Sequence, residues 1–174
     1  MAVSTLVATP GSASANTYCL LTVANQYHED RPAVGTTWSS ATDAQKNAAL
    51  LWATKLLDAN YVWNGYVVDS TQSLLFPRTG LLDINEVDIL SWTEIPIQLQ
   101  WATAEFARQL LAADRASDSD IETQGITSIK AGSIALTFKD SGVFAKVIPD
   151  AVVNLIPRHW GYISSYETRE LERA

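Results

Sequence analysis

The chain has 174 residues, 47% of them hydrophobic and 18% charged, and a net charge of −7. That size and balance suit one domain that buries a core without metals or disulfides, and they place the chain among ordinary globular proteins rather than disordered ones. Its 12 basic residues are scattered among 19 acidic ones, which argues against a protein that coats nucleic acid, because phosphate affinity rests on clustered Lys and Arg.

Residues 1–15 show no periodicity and read as a flexible N-terminal arm. They end in small residues, but no Lys or Arg precedes their short apolar stretch, so a signal peptide is not expected. No apolar run approaches the roughly 20 residues that cross a bilayer, so no membrane role is expected. Cys19 stands alone beside Leu20 and Leu21, which excludes an intrachain disulfide or a thiolate zinc cluster and predicts an inert thiol, buried or half-buried. A first helix is predicted from Thr22 to about Arg31, where Pro32 stops it. His28 reads as a helix-end histidine meeting terminal carbonyls and solvent, since no second ligand has metal-binding spacing.

Thr42 and Gln45 have the spacing of a capping box, and a second helix is predicted from about Thr42 to Ala59. Ala48, Leu51, Trp52 and Leu56 recur at helical spacing and mark its expected core face, leaving Lys46, Asn47 and Lys55 outside. About 35 residues without a long periodic segment follow, more than a mere connection needs. They hold Trp63, Tyr66, Phe76 and Trp92, which must pack on this chain's own bundle or on a neighbouring subunit. Arg78, between Pro77 and Thr79-Gly80, is read first as a loop-holding residue on a carboxylate or backbone carbonyls. A place at a subunit boundary is its second reading. Phosphate binding, with Trp63 or Tyr66 stacked on bases, is a third that the overall acidity disfavours.

A third helix is predicted near Ile95, with Thr93 as cap and Pro96 at its first position; Leu99, Ala102, Thr103, Phe106, Leu110 and Ala113 then share a face. After an acidic stretch at 117–122, residues 126–139 read as a β-hairpin centred on Ala131-Gly132, with Ile134, Leu136 and Phe138 on one buried face. An isolated hairpin is marginal, so this one must lie on helices or join strands from neighbours. Asp150 is expected to cap a short helix from Ala151 to Ile156 that Pro157 stops. The tail beyond it interleaves Arg158, Arg169 and Arg173 with glutamates. Trp160, Tyr162, Ile163 and Tyr166 in that tail suit either partner contact or folding back onto the core.

Glycine-rich phosphate loops and the G-x-S-x-G nucleophile motif are absent from the sequence, and its carboxylate pairs read as solvated. No enzymatic activity, cofactor or metal is expected. The fold class expected is mainly α, a small helical bundle with one β-hairpin and extended terminal arms.

One set of motifs goes beyond this reading. Ala53, Thr54, Leu56, Leu57 and Asp58 close the second helix as A-T-x-L-L-D, Trp63 and Gly65 form W-x-G, and Gln72, Leu74, Pro77, Arg78, Thr79 and Gly80 form Q-x-L-x-x-P-R-T-G. This order resembles the head-tail adaptor (head-completion) proteins of tailed bacteriophages, some relatives of which carry the label DnaT-like single-stranded-DNA-binding domain. Asn16-Thr17-Tyr18 and residues 22–27 resemble the opening of that family, although Asn25 stands where an acidic residue is usual. The resemblance spans about residues 15 to 157 and implies an adaptor domain over 16–156 with a portal-engaging tail over 157–174. It further implies a ring, dodecameric to match the portal, in the virion neck after assembly in the host cytoplasm. The implied partners are the portal protein, neighbouring adaptor subunits and tail or stopper proteins, with DNA passing through the channel. Candidate portal contacts are Arg158, Trp160, Tyr162, Ile163 and Tyr166. Candidate subunit or tail contacts are Trp63, Tyr66, Phe76, Arg78, Trp92, Ile134 and Phe138. The other label implies a single-stranded-DNA-binding module.

Overall fold

The structure, a computed structural model, describes residues 4–31, 35–113, 128–131, 134–137 and 146–164. In chain order these form α1 (Leu21–Glu29), α2 (Asp43–Asn60), β1 (Tyr61–Trp63), β2 (Tyr66–Val67), β3 (Arg78–Thr79), α3 (Ile97–Ala112), β4 (Ser128–Ala131), β5 (Ile134–Thr137), α4 (Asp150–Val153), a 3-10 turn (Arg158–Trp160) and β6 (Gly161–Ile163). The fold is mainly helical, with short antiparallel ribbons β1–β6, β2–β3 and β4–β5 at its margins.

Helix α2 starts where its capping box requires. The Thr42 hydroxyl accepts from the Gln45 amide at 3.3 Å, and the Gln45 side chain accepts from the Thr42 amide at 2.9 Å. Its buried face differs from the expected one: Ala49, Leu50, Ala53, Thr54, Leu56 and Leu57 turn inward, while Ala48 and Trp52 are exposed and Leu51 is half-buried. Small residues line the inner face because α2 packs along α3, whose buried side carries Ala102, Thr103, Ala104 and Ala107 beside Leu99 and Phe106. Such residues let two helices approach closely, which takes priority over burying the largest side chain. Pro96 itself precedes the first turn of α3, so Thr93 does not cap it; Gln100 reaches back to the Ile95 carbonyl at 2.7 Å instead.

Helix α1 crosses α3 and is pinned there by His28. The imidazole is buried, donates from Nε2 to the Ala104 carbonyl at 3.1 Å and stands 4.5 Å from the Trp38 ring. The solvent contact expected for His28 is therefore absent, because its partner carbonyl belongs to the packed α3 rather than to the end of its own helix. Trp38 in turn donates to Asn25 Oδ1 at 2.9 Å, so the asparagine at that position has an acceptor role inside the fold. Cys19 is buried, and burial pushes its thiol pKa up to about 12, an inert group as expected.

Both expected arms are partly absorbed into the domain. Asn16 accepts from the Val7 amide and donates to the Thr5 carbonyl, each at 2.8 Å, and Leu6 packs against the core. Ser73 bonds the Ser12 and Ala15 carbonyls. Residues 5–16 thus lie along the body rather than forming a free arm. At the other end β6 pairs with β1, with Tyr61 opposite Ile163, Val62 opposite Tyr162 and Trp63 opposite Gly161. The domain therefore does not stop at residue 156.

Pro149, not Asp150, precedes the short helix α4, and Asp150 pairs with Lys146 at 2.8 Å. In the hairpin Ala131 lies opposite Ile134, which moves the connection to residues 132–133, one position beyond the expected centre. The acidic stretch 117–122 and the candidates Phe138 and Tyr166 lie outside the described residues.

Candidate interaction surface

The A-T-x-L-L-D and P-R-T-G motifs meet in one hydrogen-bonded clamp. Thr54 Oγ1 accepts from the Tyr18 amide at 3.2 Å, and one helical turn later Asp58 accepts from the Tyr18 hydroxyl and, at 3.1 Å, from the Leu75 amide. The Tyr18 hydroxyl also accepts from the Phe76 amide at 3.0 Å. Burial raises the pKa of Tyr18, and the Asp58 carboxylate raises it further; burial also raises that of Asp58, against the hydrogen bonds from Tyr18 and Leu75. Gln72 folds the approach to Pro77 through the Leu74 and Pro77 carbonyls, at 2.7 and 3.2 Å.

Arg78 completes the clamp. Its guanidinium donates to the carbonyls of Asn64 at 2.6 Å, Gly65 at 2.8 Å and Leu75 at 3.1 Å, so the loop-holding reading is the one realised. Gly65 is required where it stands: its φ is +69°, and a Cβ there would meet the Thr79 carbonyl oxygen at 2.5 Å.

The aromatic residues of the excursion divide into two sets. Trp63 and Phe76 face inward and join Tyr18, Tyr61 and Trp160 in one cluster, with ring centroids 4.4 Å apart for Tyr61–Trp63, 5.3 Å for Trp63–Phe76 and 6.1 Å for Phe76–Trp160. Trp160 is fully buried and donates to the Leu82 carbonyl at 2.8 Å. Trp63, Phe76 and Trp160 are therefore core residues, not surfaces offered to a subunit, tail protein or portal. Ile163 is half-buried against the same core.

The second set faces outward. Tyr66 (77% exposed), Tyr162 (59%) and Trp92 (51%) stand on the surface with Val62, Val67, Leu82, Ile84, Val87 and Ile89. Val62 and Tyr162 are cross-strand neighbours, and Leu82 bridges to Ile89. The turn between that last pair is held from within: Asp83 Oδ1 accepts from the Asn85 and Val87 amides, both at 3.1 Å, and the Asp83 amide donates to the Asp88 carbonyl at 2.7 Å. Those amides hold the Asp83 carboxyl below the usual carboxylate range. Arg158 is exposed beside this region, and His159 donates to the Asp83 carbonyl at 3.0 Å. A hydrogen-bonded turn that holds apolar side chains outward, with carboxylates among them, is the result, and the alternation Asp83-Ile84 and Val87-Asp88-Ile89 was its sequence signal.

A second surface lies between α1 and α3. Tyr27 and Trp101 stack with centroids 6.3 Å apart, Arg31 lies 5.7 Å over the Tyr27 ring, and Ile97 and Leu155 extend the open groove. Arg31 is already engaged: Glu105, buried in α3, accepts from Arg31, from Arg108 at 2.6 Å and from Gln109 at 3.1 Å. Burial pushes the Glu105 carboxyl up, but the Arg108 and Gln109 hydrogen bonds and the two guanidinium charges prevail and leave it low. Sequence reasoning passed over Glu105; its spacing to Arg108 was the available signal.

A family model described as "Putative DnaT-like ssDNA binding protein" matches residues 5–169. The chain belongs to the DnaT-like family. No curated protein and no solved structure matches it. Among the described residues of this DnaT-like chain, no helix is long and apolar enough to cross a membrane, and no group of three or more His, Cys, Asp or Glu is placed to hold a metal ion. Its surfaces offer stacking, apolar docking and carboxylate charge.

Proposed function

We propose that the chain is a structural head-tail adaptor of a tailed phage. It would form one subunit of a ring under the portal, located in the virion neck, extending the DNA channel and giving neck or tail proteins a docking face. The observation that carries this reading is the hydrogen-bonded turn within residues 82–92, where Val87 and Ile89 are each 74% exposed among Asp83, Glu86 and Asp88. Large aliphatic side chains held outward on an ordered turn suit a protein partner, and the carboxylates repel phosphate. The motif order through Thr54, Asp58 and Arg78 supports the same reading by resemblance.

Mass measurement of the purified chain, alone and beside a portal ring, tests it. A multi-subunit ring bound to the portal is the expected outcome. A chain that stays monomeric with the portal present, and behaves identically when it ends at Ser164, would sink the adaptor reading.

Binding of single-stranded DNA is the second reading, favoured by the family description and by the Tyr27–Trp101 pair, an open aromatic platform of the kind on which bases stack. Against it stand the net charge of −7, the engagement of Arg31 by Glu105, and Asp30 at the groove. Oligonucleotide binding that weakens with salt and is lost in Trp101→Ala would establish this reading in place of the first.

A further inference from the structure

His159 ties the C-terminal 3-10 turn to the exposed turn at residues 82–92. Its Nε2 lies 3.0 Å from the Asp83 carbonyl oxygen and 3.3 Å from that of Leu82, and its Nδ1 stands 3.5 Å from Glu86 Oε1. Carbonyl oxygens only accept, so they fix the proton of the neutral ring on Nε2. The bare Nδ1 then turns its lone pair towards a carboxylate, which has nothing to donate. A second proton reverses that contact, because both nitrogens of the imidazolium donate, one to the carbonyls and one to Glu86. The His159 side chain keeps 26% of its surface exposed, so that proton arrives from solvent.

The backbone gives an independent sign that Glu86 is held in place for its side chain. Its φ is +59°, the one positive value at a non-glycine position among the described residues. Glycine and asparagine settle most readily in that region, and strain of this kind collects where a side chain has a task. The rest of the turn enforces it: the Asp83 carbonyl accepts from the Glu86 amide at 3.1 Å, and the Asp83 carboxylate accepts from the Asn85 and Val87 amides on either side.

We propose that His159 is a proton-operated latch on the turn at 82–92: the imidazolium closes on Glu86 and holds the tip of the turn between Ile84 and Val87, and the neutral ring releases it. The purpose of the latch rests on the reading of this turn as the docking face, since a held tip presents Val87 and Ile89 in one arrangement and lowers the ordering cost of binding a partner. Histidine is the side chain whose charge ordinarily changes between about pH 5 and 8, and the latch closes in the direction of falling pH. The other charged groups around it are Asp83 and Asp88 in the turn, Arg158 on its own 3-10 turn, and Arg78, which bonds the carbonyl of Asn64, whose side chain donates to the His159 carbonyl. Asp83 is held below the usual carboxylate range by its amides and stays charged throughout, and the other histidine, His28, takes its proton only near pH 4.

NMR on the full chain tests the latch, following the His159 ring, the Val87 and Ile89 methyl groups and the exchange protection of the Val87 amide between about pH 8 and 5. In the wild type the methyl signals move in one step with the His159 ring. The amide, corrected for its intrinsic exchange rate, gains about two- to threefold protection at the acid end, the size of an exposed ion pair. His159→Gln keeps a donor for the Asp83 carbonyl but takes no proton, and its methyl and protection profiles are flat. Glu86→Gly relieves the positive φ and melts no lower than the wild type at neutral pH, yet it loses the protection step while its histidine still titrates. Flat wild-type profiles, or a step that survives in His159→Gln or in Glu86→Gly, overturn the latch. Native mass spectrometry of the wild type beside a portal ring tests the adaptor reading separately: a monomer there, with the pH step intact, sinks that reading and leaves the latch standing.

Discussion

Tyr18 is the residue on which the two ends of the motif region depend. Its hydroxyl donates to Asp58 and accepts from the Phe76 amide in a buried setting, so Tyr18→Phe leaves the Asp58 carboxylate short of a donor and that amide without a partner. A loss of about 2 kcal/mol in urea unfolding is expected, since an unmatched buried polar group costs that much. Gly161 is as constrained by space: a Cβ would meet the Val62 carbonyl oxygen at 2.4 Å and the Tyr61 ring at 2.7 Å. Gly161→Ala should therefore cost roughly 2 kcal/mol through displacement of the β1–β6 ribbon, read as a lower thermal midpoint. His28 gives a pH dependence. Burial brings its pKa from the ordinary histidine value of about 6.5 down to about 4, so the unfolded chain takes up the proton first as pH falls. Stability is then complete above about pH 6.5 and is lost progressively towards about pH 4, by up to about 3 kcal/mol. Glu105, held low, acts in the same direction at lower pH, and Asp58, held high, acts in the opposite direction. His28→Phe, which keeps a ring against Trp38, should flatten the urea midpoint between pH 6.5 and 4; an unchanged slope would exclude His28 as its source.

At the scale of elements, the C-terminal 3-10 turn and β6 belong to the core, although the polar composition around them suggests a tail. Trp160 fills the space between Phe76 and the Leu82 carbonyl, and Gly161 admits the Tyr61 ring. A chain ending at Ile156 should lose cooperative unfolding, because removing a fully buried tryptophan costs about 3–5 kcal/mol before the lost strand is considered. A chain ending at Ser164 should keep its thermal midpoint. The helices and the hairpin were legible: the capping box at Thr42 and Gln45, the start of α3 beside Pro96 and the hairpin strands follow local rules, whereas the β1–β6 and β2–β3 ribbons, whose partners come from distant segments, were not. Which face of α2 is buried was not. An alanine-rich helix has a weak preference for one side, and its orientation is settled by how closely α3 can approach Ala49, Ala53 and Thr54. Trp52 remains outside for that reason.

For the molecule as a whole, acidity and geometry act together. A net charge of −7, with the 82–92 ridge rimmed by carboxylates, makes nonspecific affinity for single-stranded DNA weak. Less than tenfold change in oligonucleotide affinity between low and physiological salt is the outcome expected of an adaptor, measured by fluorescence anisotropy; a steep salt slope would favour the DNA-binding reading. The sequence by itself determined the order of the helices and of the hairpin, the inert thiol and the presence of aromatic residues beyond what a connection needs, while the hydrogen bonds from Arg78 to the Asn64, Gly65 and Leu75 carbonyls chose among its three readings. The first three follow from spacing, capping and side-chain chemistry over a few residues. Only the tertiary structure decided that Trp63, Phe76 and Trp160 are core while Tyr66, Trp92 and Tyr162 are surface, and that Asp58 and Tyr18 join one end of the domain to the other. Inward or outward placement of an aromatic depends on which distant segments arrive beside it, here residues 18, 76 and 160, and no local pattern carries that information.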